Sequence, residues 1–322
     1  MAWLWRGITV LTVATALAVS GAGLADGAPA TLVLPEPFAT WLRPPATPAS
    51  RLATSYAAFE KSLRTTIPGR VGVALVPIGT DVPLVFGSLR TGRAWSTMKV
   101  PVALAAQRRN GTAVAQDEDK AITFSDNDAA SDLWGSLGGG RSSVTAVTAV
   151  LREGHDIHTR VSSEADTPAS YPGATAWALA DQAIFGAHLP CMPNSAKIIR
   201  LMSAVGPNQQ WGIAELAGHR DAHTAVKGGW GPATDASSAY LVRQLGIITT
   251  GGGRVAVSMA ARPRSGSFED GTEMLTKVGR WLARNLALLP LGRCSTPISD
   301  RGREANVVRS GGQADSWHRR AG

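Results

Sequence analysis

The segments WSTMKVPVALAAQ (residues 95–107) and AITFSDNDAASDLWGSLGGG (residues 121–140) decide how the rest of the chain is read. In the first, residues 97–107 are rich in helix formers. Ser96 therefore reads as an N-cap, with Lys99 three residues on, one turn up the same face. A serine hydroxyl is a weak nucleophile at neutral pH and needs a base within hydrogen-bond reach. A lysine serves only where burial or nearby positive charge lowers its pKa. The start of a helix also offers backbone N–H groups to a developing oxyanion. Pro101 sits just beyond the best-tolerated first turn and predicts a small kink. The second segment supplies Ser125, Asp126 and Asn127: another hydroxyl beside an amide side chain. Each motif alone is weak, since Ser, Asp and Asn are also the usual residues of caps and turns.

A third segment, TAVKGGWGP (residues 224–232), places Lys227-Gly228-Gly229 on a strand-like run followed by turn residues. The ordered set S-x-x-K, S-D-N and K-G-G, with its flanks, resembles the serine β-lactamase and penicillin-binding-protein superfamily, most of all the class A β-lactamases. The similarity spans roughly residues 53–289. It implies an α/β fold: an antiparallel sheet flanked by terminal helices, plus an inserted all-helical lobe. It implies Ser96 as the acylated nucleophile and Lys99 as base or proton relay. Ser125 would pass the proton to the leaving nitrogen, Asn127 would hold the substrate amide, and Lys227 would supply positive potential. The oxyanion hole would be the N–H groups of Ser96 and Trp230, with Gly229 beside them in the substrate site.

Three departures qualify the resemblance. Ser125 follows Ser96 by only 29 residues, about half the class A spacing, so part of the helical lobe is missing. Gly228 replaces the family's Thr or Ser, whose hydroxyl helps hold a substrate carboxylate; Thr234, Ser237, Ser238 and Arg243 are the candidate substitutes. Class A enzymes deacylate with a glutamate on a long loop. Glu164 is the nearest candidate here, on a much shorter segment, with a surface turn glutamate as the alternative.

At 322 residues, with 44% hydrophobic and 17% charged residues, the chain can bury one large core or two lobes. Residues 1–30 place Arg6 before an apolar run and small residues. They read as a signal peptide cleaved after Ala25 or Ala30, with export to the cell envelope or beyond and no stable membrane insertion afterwards. Residues 31–50 read as a proline-rich linker. The catalytic domain is expected over 51–294, with a sheet lobe at 51–95 and 206–294 and a helical lobe at 96–205. Residues 295–322 form a polar basic tail expected to be disordered. Strands are expected over 70–80 and 83–86 and again between about 210 and 261, and a final helix over 268–289.

Cys191 and Cys294 either pair in an oxidising compartment or stay separate thiols. The net charge of +8 suits anionic cell-wall polymers. The arginines are scattered without interleaved aromatics, so no nucleic-acid partner is expected. His219 and His223, with Asp221 between them, lack a third ligand, and His155 and His158 fare no better. No metal and no cofactor are expected. The glycine runs at 138–140 and 251–253 read as turns.

The leading expectation is an exported, monomeric serine hydrolase acting on a small-molecule β-lactam or peptidoglycan-derived amide through an acyl-Ser96 intermediate. The alternatives are a D-alanyl-D-alanine peptidase or esterase with poor deacylation, and a non-catalytic wall-binding protein that keeps the fold.

Overall fold

The computed structural model describes residues 46–218 and 222–295. The expected signal peptide, most of the linker, nearly all of the tail, and His219 and Asp221 lie outside the described residues.

Helix α1, Pro48–Thr66, begins where the Thr47 hydroxyl accepts a hydrogen bond from the Ser50 N–H at 3.1 Å, with Pro48 opening the first turn. Residues 48–50, assigned above to the linker, thus belong to the folded domain, because a capping threonine precedes a proline with preset φ. Leu52, Tyr56 and Leu63 give the helix its buried face.

Strands β1 (Gly69–Pro77), β2 (Leu84–Gly87) and β3 (Thr91–Arg93) follow. A tight turn over Trp95–Met98 then leads into α2, Lys99–Asn110. The helices α3 (Ala115–Asp119), α4 (Asn127–Ser136) and α5 (Gly140–Glu153) make up most of the helical part. Next come β4 (Ala176–Ala178), α6 (Leu179–His188) and α7 (Ala196–Met202). The chain closes with β5 (His223–Pro232), β6 (Tyr240–Thr250), β7 (Gly253–Pro263) and α8 (Phe268–Arg284).

The main sheet is antiparallel in the order β2-β1-β7-β6-β5, so β5 is an edge. Both faces are covered, which is why Val71 to Val76 are all buried and β1 has no polar face. One core, with Leu104, Ile122, Leu133 and Trp177, lies toward the helical part; the other, with Leu52, Val73, Trp281 and Leu282, lies toward α1 and α8.

The 96–205 segment is not purely helical. Strand β4 pairs with β3, and α6 packs its apolar face on β1 and β7. The strands expected from about residue 210 begin at His223. Residues Gly212–Gly218 form a helical turn instead, because the N–H groups of Gly212 and Ile213 bond to the Thr276 hydroxyl and the Gln244 side-chain oxygen rather than to a neighbouring strand. Helix α8 is capped by Ser267 and stops at Arg284, short of the expected 289; Leu286–Leu288 form a separate tight turn. Cys191 and Cys294 are disulfide-bonded, which settles the alternative left open by the sequence. Among the described residues no helix is long and apolar enough to cross a membrane.

Candidate active site

Ser96 is not an N-cap. The chain enters through Trp95 at φ 47° and tightens into the turn Trp95–Met98, and the α-helix proper starts at Lys99 with no side chain capping it. The buried layer beneath explains this geometry. Thr97 Oγ1 donates to the Ala94 carbonyl at 2.5 Å and accepts from Gln182 Nε2 at 2.8 Å. Gln182 Oε1 in turn accepts from Arg243 Nη2 and Ser258 Oγ, both at 2.7 Å. Arg243 also donates to the Gly92 and Arg93 carbonyls, fixing β3 against the turn. Four buried polar residues, Thr97, Gln182, Arg243 and Ser258, thereby place Ser96 at the wall of a cleft.

The second serine is delivered by a different device. Residues Lys120–Phe124 form one wide π-type turn, a deviation that recurs at functional sites, and the backbone reverses through Ser125 in the left-handed region (φ 61°, ψ 30°). Asp126 then caps α4, its Oδ1 accepting from the Ala129 N–H at 2.8 Å. Strain at Ser125 is tolerated because both flanking segments are pinned. Gln209, fully buried, donates to the Ile122 and Thr123 carbonyls at 3.0 and 2.9 Å, and its Oε1 accepts from the Gly228 N–H at 3.0 Å. It ties the wide turn to the edge strand β5.

Two lysines converge on Ser125. Lys227 Nζ lies 2.9 Å from Ser125 Oγ, 2.6 Å from Gln209 Oε1 and 2.9 Å from the Gly228 carbonyl. Carbonyl oxygens only accept, so two of its contacts consume N–H groups. The third, to a hydroxyl, can run either way. Burial, reinforced by the charge of Lys99, holds Lys227 well below its ordinary pKa.

Lys99 is differently placed. Its Nζ donates to the Ser125 carbonyl at 2.6 Å, the Asp126 carbonyl at 3.0 Å and Asn127 Oδ1 at 2.8 Å, and lies 3.5 Å from Ser125 Oγ. Three acceptors match the three protons of an ammonium, with the Asn127 amide oriented oxygen-inward. Burial brings its pKa down to about 8, against a small upward pull from Asp126. Ser96 is not among the hydrogen-bond partners of Lys99: the sequence spacing aims the lysine at Ser96, and the fold ties it to the Ser125 loop.

Around these groups lies a cleft of about 530 Å³, within the usual range for small-molecule sites, lined by Ser96, Lys99, Ser125 and Asn127 with aromatic walls from Trp95, Trp134, Tyr171 and Trp230. Gly229 has a steric reason. A Cβ there would stand 3.0 Å from the Ala94 carbonyl oxygen and from the Ser96 and Thr97 nitrogens, so glycine lets β5 run this close to the Ser96 turn without pushing that backbone aside. At Gly228 a Cβ would stand 2.8 Å from Trp211 Cζ2 and 3.3 Å from Trp230 Cζ3. Indole edges occupy the room a Thr or Ser would need. None of the proposed substitutes restores that hydroxyl: Thr234, Ser237, Ser238 and Arg243 do not line the cleft, and Arg243 is fully buried on backbone carbonyls.

Glu164 does reach the cleft. Its Oε1 accepts from Trp134 Nε1 at 3.1 Å and from the Gly140 N–H, at the start of α5, at 2.6 Å. The Trp134 and Gly140 bonds hold its carboxyl below its ordinary pKa. The side chain serves as a clamp across the glycine turn, and a carboxylate so stabilised is a weaker base. The structure thus adds to the sequence reading two buried residues, Gln182 and Gln209, and moves Arg243 from a substrate contact to a buried support; their partners lie far along the chain, and no local pattern marks these roles.

The chain matches no protein-family model and no curated protein sequence. Solved structures do resemble it. The reconstructed class A β-lactamase of the last common ancestor of Gram-negative bacteria aligns with a TM-score of 0.55 and 20% identity, covering 73% of this chain and 99% of that one. A β-lactamase from Xanthomonas campestris pv. campestris aligns with a TM-score of 0.57 and 17% identity, over 75% and 99%. A β-lactamase from Sphaerobacter thermophilus aligns with a TM-score of 0.56 and 18% identity, over 74% and 99%. The fold is that of these class A β-lactamase structures, as the motifs led one to expect.

Proposed function

We propose that this protein is an exported serine acyl hydrolase that forms an acyl-Ser96 intermediate with a small amide or lactam. The observation that carries the reading is the convergence of the Lys99 and Lys227 amines on Ser125 in the cleft that Ser96 lines. In acylation Ser96 Oγ bonds to the substrate carbonyl carbon and its proton passes into the lysine–Ser125 array. The C–N bond then breaks as the Ser125 hydroxyl gives its proton to the departing nitrogen and recovers one from the array. The N–H groups of Ser96 and Trp230 stabilise the oxyanion. Aromatic walls and the indole-filled space beside Gly228 favour a substrate with an apolar acyl group over one anchored by a carboxylate.

A second reading, a penicillin-binding enzyme with slow deacylation, is favoured by one observation: the Glu164 carboxylate is engaged by Trp134 and Gly140. Purified protein incubated with a penicillin, followed by intact mass and ring opening, separates the two. Turnover supports the hydrolase, and a persistent adduct that is absent in Ser96→Ala supports slow deacylation. Neither adduct nor turnover with penicillins or simple esters would overturn both, leaving the non-catalytic wall-binding protein.

A further inference from the structure

Outside the cleft, three side chains that are far apart in the chain meet at one point. Asp81 lies in the loop between β1 and β2, His188 is the last residue of α6, and His155 follows α5 in the left-handed region at φ 62°. His188 Nε2 is 2.7 Å from Asp81 Oδ1, and His155 Nδ1 is 3.0 and 3.1 Å from the two Asp81 oxygens. The two imidazoles stack at 3.7 Å, inclined by 21°, so both rings present a nitrogen to the same carboxylate. One ligand atom from each residue lies within 4.8 Å of the others.

We propose that Asp81, His155 and His188 bind one Zn²⁺ ion, with water in the fourth position. Two imidazoles and a carboxylate are borderline donors of the kind zinc takes, and three protein ligands leave an open position. Zinc bonds of about 2.0–2.1 Å at tetrahedral angles set donors roughly 3.3 Å apart. The Asp81 contacts therefore open by a few tenths of an ångström, and His155, about half exposed, turns to splay the stacked rings. The metal takes the place of the protons now shared in these contacts. The ion would fasten the β1–β2 loop to the ends of α5 and α6. That loop is already held there by the Gly79 N–H bond to the Ala187 carbonyl at 3.1 Å, near the Cys191–Cys294 bridge. The site is thus a clamp beside the disulfide. None of its residues lines the Ser96 cleft.

The full chain, freed of any affinity tag and stripped with chelator, is titrated with zinc chloride by calorimetry, and its melting temperature is recorded with and without the metal. One equivalent is expected to bind with a rise in Tm. Both the binding and the rise should weaken at least about tenfold in His155→Ala and in Asp81→Asn. His158→Ala, which removes the neighbouring His158–Asp181 pair, should leave both intact. Co²⁺ in place of Zn²⁺ should give the visible bands of tetrahedral cobalt, lost in His155→Ala. His155 is surface-exposed, so its variant keeps the test open even if His188→Ala misfolds. Absence of binding, or binding unchanged in His155→Ala and Asp81→Asn, would overturn the assignment.

Discussion

Ser125 Oγ and Lys227 Nζ lie 2.9 Å apart, although 102 positions separate them in the chain. Lys227 gives its other contacts to carbonyl oxygens, so its contact with Ser125 is the one through which a proton can move in either direction. Ser125→Ala and Lys227→Ala should each slow acylation by roughly 10²–10⁴-fold, and the double variant should be little worse than either single. Pre-steady-state adduct formation by mass spectrometry measures this; additive losses would show that the two residues act separately.

The Lys99 pKa of about 8 sets a pH dependence. If the neutral amine accepts the Ser96 proton, acylation rises with pH with a midpoint near 8, and a flat profile between pH 6 and 9 would remove Lys99 from that role. Stability follows the same group. The folded pKa lies below the unfolded value, so the unfolded state binds more protons between the two. Unfolding free energy therefore gains from this residue as pH rises from about 8 to about 10.4, by on the order of 3 kcal/mol. Comparing urea midpoints of the wild type and Lys99→Met across that window isolates the contribution.

Restoring the absent hydroxyl should fail alone. Gly228→Thr pushes a Cβ against Trp211 and should cost about 1–3 kcal/mol by overpacking. Combined with Trp211→Leu, the penalty should shrink, giving a favourable coupling of about 0.5–2 kcal/mol in a double-mutant cycle. Simple additivity would mean that the indole does not fill that space.

Glu164→Gln should change deacylation by less than about tenfold, since the carboxylate is already committed to Trp134 and Gly140. It should still lower stability by about 1 kcal/mol through the lost charge at the start of α5. Because the folded pKa is depressed, that contribution is present above the ordinary glutamate pKa and fades as pH falls through the folded value. A loss of deacylation of a hundredfold or more would instead make Glu164 the base.

The Cys191–Cys294 bridge closes a loop of 103 residues, and chain entropy for such a loop amounts to about 4–5 kcal/mol. Cys191→Ser should lower the urea midpoint accordingly, with unchanged acylation, since neither cysteine lines the cleft.

Much of the fold was legible because its signals are local. The apolar runs of β1, β6 and β7, the final helix and the three ordered motifs all act within a few residues of one another, whereas the Thr47 cap that draws residues 48–50 into the folded domain reads as linker. The boundary errors arose where side chains from elsewhere took over the backbone. Thr276 and Gln244 hold Gly212 and Ile213 in a turn that periodicity reads as strand, and Gln182 shapes the turn that displaces Ser96 from a cap.

By itself, then, the sequence determined the fold and which groups are available for chemistry: Ser96, Lys99, Ser125, Asn127 and Lys227. Only the tertiary structure decided which lysine faces which serine, that Glu164 is a clamp, that indoles occupy the space beside Gly228, and that Asp81, His155 and His188 meet. Hydrogen bonding and steric exclusion act over a few ångströms in space, and the residues that exert them here are tens to more than a hundred positions apart.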